Sequence, residues 1–132
     1  MPVVPTTVDD AGLMALPERP TSIGWYSYGP RPGAKGSAVL GGHIDSRRYG
    51  IGPLAKLQRL SRGDEIIVRS GSTGSLTFTV ESVRVIKKQA LPLDEIFDRD
   101  GSPRLRIVSC GGPYVPARGG YQDNVVITAT PR

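Results

Sequence analysis

The chain has one cysteine and one histidine, and each stands where a strand-like run gives way to glycines. Cys110 closes the run Arg104-Leu105-Arg106-Ile107-Val108-Ser109-Cys110-Gly111-Gly112. Alternation places Leu105 and Ile107 on one face of that strand and Arg106, Val108 and Cys110 on the other. A thiol at a strand's end, beside a loop that can approach a ligand, is a candidate nucleophile, although a lone cysteine is more commonly a small buried hydrophobe. His43 lies in Gly41-Gly42-His43-Ile44-Asp45-Ser46, which follows the apolar run Ser37-Ala38-Val39-Leu40. Two strand exits at one end of a β-structure can bring a thiol and an imidazole together from remote positions in sequence. The chemistry that the pair permits is acyl transfer, to an amine as in a transpeptidase or to water as in a hydrolytic cysteine peptidase, and the alternative without chemistry is a barrel that binds cell-wall or nucleic-acid ligands. An ordinary thiol is only a few per cent ionised at neutral pH, so an imidazole must take or hold its proton and later protonate a leaving amine. The oxyanion formed on the way needs a donor, a task suited to a guanidinium. Arg118, in the loop Pro113-Tyr114-Val115-Pro116-Ala117-Arg118-Gly119-Gly120, is the nearest arginine downstream of Cys110.

Other site classes fit poorly. A structural zinc site needs about four Cys or His ligands, and the chain has two such residues. The glycines from Gly24 to Gly42 lack the strand-to-helix setting of a phosphate or dinucleotide loop, and no carboxylate cluster has calcium-loop spacing. Neither a metal nor a cofactor is expected. With 17 Lys and Arg against 12 Asp and Glu, the chain is attracted to anionic surfaces of several kinds. Stacking of bases on Trp25, Tyr26 and Tyr28 is a weaker alternative, and no nucleic-acid partner is expected. No apolar run approaches the ~18 residues of a membrane span, so membrane attachment would come from an anchor outside these residues.

A length of 132 residues suits one domain with one core. The 17 glycines and 12 prolines cluster between short β-prone runs, which argues for an all-β barrel or sandwich rather than a helical bundle. Residues 1–20, with Pro2, Pro5, Pro17 and Pro20, read as an extended arm, and the apolar run Leu13-Met14-Ala15-Leu16 suggests that it docks. The body spans residues 21–132. Strands are expected at Ile23–Tyr28, at the His43 run, at Glu65–Arg69, at Leu76–Val80 and Val83–Val85, at the cysteine run and at Asn124–Thr130. Apolar residues change phase near Glu81-Ser82, which implies a bulge or corner. A loop of hairpin type is expected at residues 70–74. Short helices are expected at Pro53–Leu60, with Pro53 in the first turn, and near Leu91–Phe97.

Gly42-His43-Ile44-Asp45-Ser46, Leu105-Arg106-Ile107-Val108-Ser109-Cys110-Gly111-Gly112 and Tyr121-Gln122-Asp123-Asn124-Val125-Val126 together resemble an actinobacterial sortase of the class E/F type. The resemblance extends through Ile23-Gly24-Trp25-Tyr26, Leu57-Gln58-Arg59-Leu60 with Gly63-Asp64, and Lys87. It implies a closed eight-stranded β-barrel, acting as a monomer on the outer face of the plasma membrane. It also implies a cysteine transpeptidase that cuts an LPxTG-like sorting signal on surface proteins and passes the acyl group to an amine of a peptidoglycan precursor or pilin. On this reading Cys110 is the nucleophile and His43 the acid-base residue, with Asp45, Ser46, Ser109, Gly111 and Tyr114 as substrate contacts. Ser109 stands where the family commonly has threonine. Gln122 stands where the family has its catalytic arginine, so the third role falls to Arg118 from the loop, to another arginine such as Arg106 on the cysteine's own face, or to none.

Overall fold

The computed structural model describes residues 1–8, 14–71 and 74–132. Its main element is a seven-stranded sheet in the order β1-β2-β3-β8-β9-β7-β6. The strands are β1 (Val3–Thr6), β2 (Ile23–Tyr26), β3 (Ser37–Gly42), β6 (Glu65–Ser70), β7 (Gly74–Lys87), β8 (Arg104–Val115) and β9 (Gly120–Pro131). A separate two-stranded ribbon, β4 (Asp45–Ser46) with β5 (Gly50–Ile51), leaves the sheet just after β3. Pairing is antiparallel except between β1 and β2 and between β3 and β8.

The sheet curls through 242° without closing, which corrects the expectation of a closed eight-stranded barrel. Its two edges differ physically. Ile23 N–H donates to the Pro2 carbonyl and Ser27 N–H to the Thr6 carbonyl, so the even residues of β1 turn their backbone groups toward β2. Val3 and Pro5 therefore face the open edge, where Pro5 has no N–H to offer. On the far side β6 presents the exposed, charged side chains of Glu65 and Arg69, another feature that discourages edge pairing.

The six residues of β3 are all buried, as a central strand covered on both faces requires. On one face Ala38 and Leu40 meet Leu105, Ile107, Val125, Ile127, Phe78 and Val80. The 3-10 helix Pro53–Arg59, which starts on Pro53 as expected, adds Leu54 and Leu57 to this core. Gly42 makes that approach possible, because a Cβ there would lie 2.7 Å from Leu54 Cδ1 and 3.3 Å from the Ser22 carbonyl oxygen. On the other face Val39 and Val126 pack with Ile96 of the short helix α1 (Leu93–Ile96), and Met14 of the N-terminal segment lies against them. Leu13 falls outside the described residues, as do positions 72 and 73 of the loop expected at residues 70–74.

The two expected strands at Leu76–Val80 and Val83–Val85 are one, β7, with a register shift between Val80 and Ser82 where the apolar phase changes. The cysteine run is longer than its composition suggested. Instead of opening into a loop after Cys110, β8 continues to Val115 with an irregularity between Gly111 and Tyr114, then turns through the 3-10 helix Pro116–Arg118 into β9. Cys110 therefore lies inside a strand, held by backbone pairing on both sides of it.

Phe78 is 1% exposed at the centre of the larger core. Phe78→Ala is expected to cost about 3–5 kcal/mol, a large part of the total stability of a domain this size. Urea unfolding followed by circular dichroism measures it, and a loss below about 1 kcal/mol would contradict this account of the core.

Candidate active site

The parallel pairing of β3 with β8 runs from Ser37 opposite Arg104 to Gly42 opposite Ser109. His43 follows the last paired residue of β3, and Cys110 follows the last residue of β8 that pairs with it. Both residues line one cavity of about 810 Å³. Cys110 also borders a narrower, largely apolar groove of about 190 Å³, formed with Met14, Leu16, Leu91, Ile96 and Phe97. Cys110 thus lies between a cavity of mixed polar and apolar lining and an apolar slot, with the N-terminal segment forming part of the slot's wall.

Asp45, Ser46 and Tyr114 line the cavity with His43 and Cys110. Ser46 Oγ also accepts the Tyr49 N–H at 2.8 Å, closing the turn between β4 and β5. Ser109 borders the apolar groove instead; it is buried, and its Oγ has no hydrogen-bond partner among the described residues. Gly111 lines neither space. A Cβ on it would meet Val125 Cγ2 at 2.8 Å, so its lack of a side chain serves packing against β9.

A residue that sequence reasoning quoted only within a motif, Tyr121, ties the site together. Its hydroxyl donates to Asp45 Oδ2 at 2.6 Å, joining β9 to the β4 ribbon across the cavity. That hydrogen bond, with burial and the carboxylate's charge, pushes the Tyr121 phenol up to about 12. Tyr114 packs edge-on against the Tyr121 ring with centroids 5.0 Å apart. The thiol of Cys110 is raised above its ordinary value, first by burial and then by the negative charge of Asp45, while the positive charge of Lys88 acts in the opposite direction. A thiol so placed is mostly protonated at neutral pH and depends on a neighbouring base.

The arginines expected at the site are elsewhere. The Arg118 side chain is exposed and does not line the cavity. Its carbonyl instead accepts Lys88 Nζ at 3.3 Å and Gln122 Nε2 at 3.1 Å. Gln122 Nε2 also donates to the Gly120 carbonyl at 2.7 Å, so its amide braces the turn. Arg106 is 7% exposed and donates to Thr128 Oγ1 at 2.6 Å and to the Glu95 carbonyl at 3.4 Å. Burial and then the charge of Arg104 lower its pKa, and its contacts fasten α1 to the sheet. It borders neither the cavity nor the groove. The Lys and Arg residues that do line the cavity are Arg47 and Lys88. Their positions follow from strand register, and no local motif marks them.

Alkylation of Cys110 by iodoacetamide is expected to rise with pH through a midpoint above the ordinary thiol value of about 8.5. Asp45→Asn should lower that midpoint, because a charge that opposes the thiolate is removed. A stopped-flow or mass-spectrometric pH series measures both. A wild-type midpoint at or below about 8.5, or an upward shift in Asp45→Asn, would contradict the assigned electrostatics.

A family model described as the sortase domain matches residues 1–132. Among solved structures the chain is similar to sortase A from Corynebacterium diphtheriae, with 16% identity and a TM-score of 0.64 over 94% of this chain and 51% of that one. It is likewise similar to sortase C1 from Streptococcus agalactiae, with 22% identity and a TM-score of 0.65 over 85% of this chain and 54% of that one. Sortase C from Clostridium perfringens SM101 matches with 17% identity and a TM-score of 0.62 over 83% of this chain and 54% of that one. The chain therefore spans about half the length of these solved sortases, and at such identities the likeness is one of fold. No curated protein matches it. With its whole length matched by the family model, the chain belongs to the sortase domain family.

Proposed function

We propose that this chain is a cysteine transpeptidase of the sortase type, with Cys110 as nucleophile and His43 as the residue that moves protons. The proton of Cys110 passes to the His43 imidazole, and the sulfur attacks the carbonyl carbon of the threonine in an LPxTG-like sorting signal. The tetrahedral oxyanion collapses to a thioester, and the leaving amine takes its proton from His43. An amine of a peptidoglycan precursor or pilin then attacks the thioester and restores the thiol. The observation that supports this reading is that the only thiol and the only imidazole in the sequence, which close and follow two parallel-paired strands, line one cavity.

The apolar groove on the other flank of Cys110 suits the leucine and proline of such a signal, and the wider cavity leaves room for an acceptor amine. On this proposal the enzyme works at the outer face of the plasma membrane on surface proteins bearing the signal. Among the described residues no helix is long and apolar enough to cross a membrane. The class E/F subtype belongs to the proposal too and is carried by the GHIDS and CGG motifs.

Cys110→Ala and His43→Ala are each expected to reduce turnover of a sorting-signal peptide with an amine acceptor by about 10³-fold or more. Both should leave the fold intact, because neither residue belongs to the hydrophobic core clusters. Peptide release followed by chromatography, with circular dichroism as the fold control, measures this. Retained acyl transfer in Cys110→Ala would overturn the proposal.

A further inference from the structure

We propose that Lys88 is the cation that serves Cys110 in this chain, in place of a guanidinium from β9 or from the loop before it. The proposal rests on Cys110 being the nucleophile. Its starting point is position. β7 ends at Lys87, opposite Asp123 of β9, and Lys88 begins the 3-10 turn Lys88–Ala90 at the rim of the cavity. Lys87 is exposed, whereas Lys88 is partly covered.

The ammonium is held in place. Lys88 Nζ donates to the Arg118 carbonyl at 3.3 Å, at the C-terminal end of the 3-10 helix Pro116–Arg118, where carbonyls lack helical partners. Gly119 follows with φ of 86°. A Cβ there would lie 3.3 Å from Lys88 Nζ, so a glycine keeps space for the ammonium as well as permitting the left-handed turn. An ammonium carries three donors, and one is accounted for by the Arg118 carbonyl. The other arginines do not serve the thiol: the Arg118 side chain is exposed, Arg106 is bound under α1, and Arg47, although it lines the same cavity, is not among the charges that act on Cys110, while Gln122 is neutral and braces the turn.

The titratable and charged groups at the cavity around Cys110 are His43 after β3, Asp45 of β4, Arg47 beyond it, Lys88 after β7, Tyr114 further along β8 and Tyr121 of β9. Lys88 is the one whose positive charge favours the thiolate, against Asp45. In the reaction it acts through its positive charge and transfers no proton. It lowers the cost of the negative charge as the thiol proton leaves for His43, and again when the carbonyl electron pair moves onto oxygen as the carbon–sulfur bond forms.

The test needs no sorting substrate for its first arm. Iodoacetamide alkylation of Cys110 in Lys88→Gln should have its midpoint moved upward, with a rate about 3–10-fold lower at pH 7.5. Lys88→Arg, which keeps the charge, should alkylate within about twofold of wild type. In the second arm, kcat/KM for a sorting-signal peptide should fall by about 10²–10³ in Lys88→Gln and recover largely in Lys88→Arg. An unmoved alkylation midpoint in Lys88→Gln would overturn the assignment, as would a shift produced by Arg118→Gln and not by Lys88→Gln. A wild-type protein that alkylates as described yet transfers no acyl group would defeat the transpeptidase reading instead, and the first arm would still decide Lys88.

Discussion

The parallel pairing of β3 with β8 is the constraint on which the site depends. Sequentially distant strands that run in the same direction leave the sheet at the same end, so residues that follow or close them become neighbours. Had the pair been antiparallel, His43 would stand at the opposite end of a six-residue strand, about 20 Å away at ~3.3 Å per residue. Parallel neighbours require a long crossover, and here the stretch from Asp45 to Pro103 supplies it, with the β4 ribbon, the 3-10 helix Pro53–Arg59, the β6–β7 hairpin and α1. Those crossover elements also cover both faces of the sheet there, which explains why the central strand β3 is buried throughout.

The parts of this arrangement that could be read in the amino acids are those set by local pattern. Alternation along Arg104–Cys110 gave the correct faces, since Leu105 and Ile107 enter the larger core while Val108 packs on the opposite side. Pro53 started its helix, and the change of phase at Glu81-Ser82 became a register shift in β7. What local pattern missed depends on partners far along the chain. Gly111 and Gly112 looked like the start of a loop, yet pairing with β9 carries the strand past them to Val115. The opening of the sheet follows from which backbone groups of β1 face outward, a matter of pairing that places Pro5 at the edge. Tyr121 and Asp45 are far apart in sequence and meet because β9 passes the ribbon. Arg118 is exposed and absent from the cavity lining, while its carbonyl accepts Lys88 Nζ and Gln122 Nε2.

The electrostatics of the cavity have a consistent logic. Asp45 raises the Cys110 thiol and is itself held by the Tyr121 hydroxyl, so the group that opposes ionisation is fixed in place. Lys88, fixed by the Arg118 carbonyl, pulls the other way. A thiol so placed is raised above its ordinary value despite the opposing charge of Lys88. The hydrogen bond to Asp45, with burial, raises the Tyr121 phenol to about 12, so the phenol keeps its proton and the tether to Asp45 stays intact at neutral pH.

The central claim is that register makes Cys110 a nucleophile that carries the acyl group. Intact-mass and peptide-level mass spectrometry of the protein quenched in acid during turnover of a sorting-signal peptide tests it most directly. The account predicts an adduct with the mass of the acyl portion, located on the peptide containing Cys110, and released by an added amine. Turnover without any covalent adduct on Cys110, or an adduct on another residue, would contradict it.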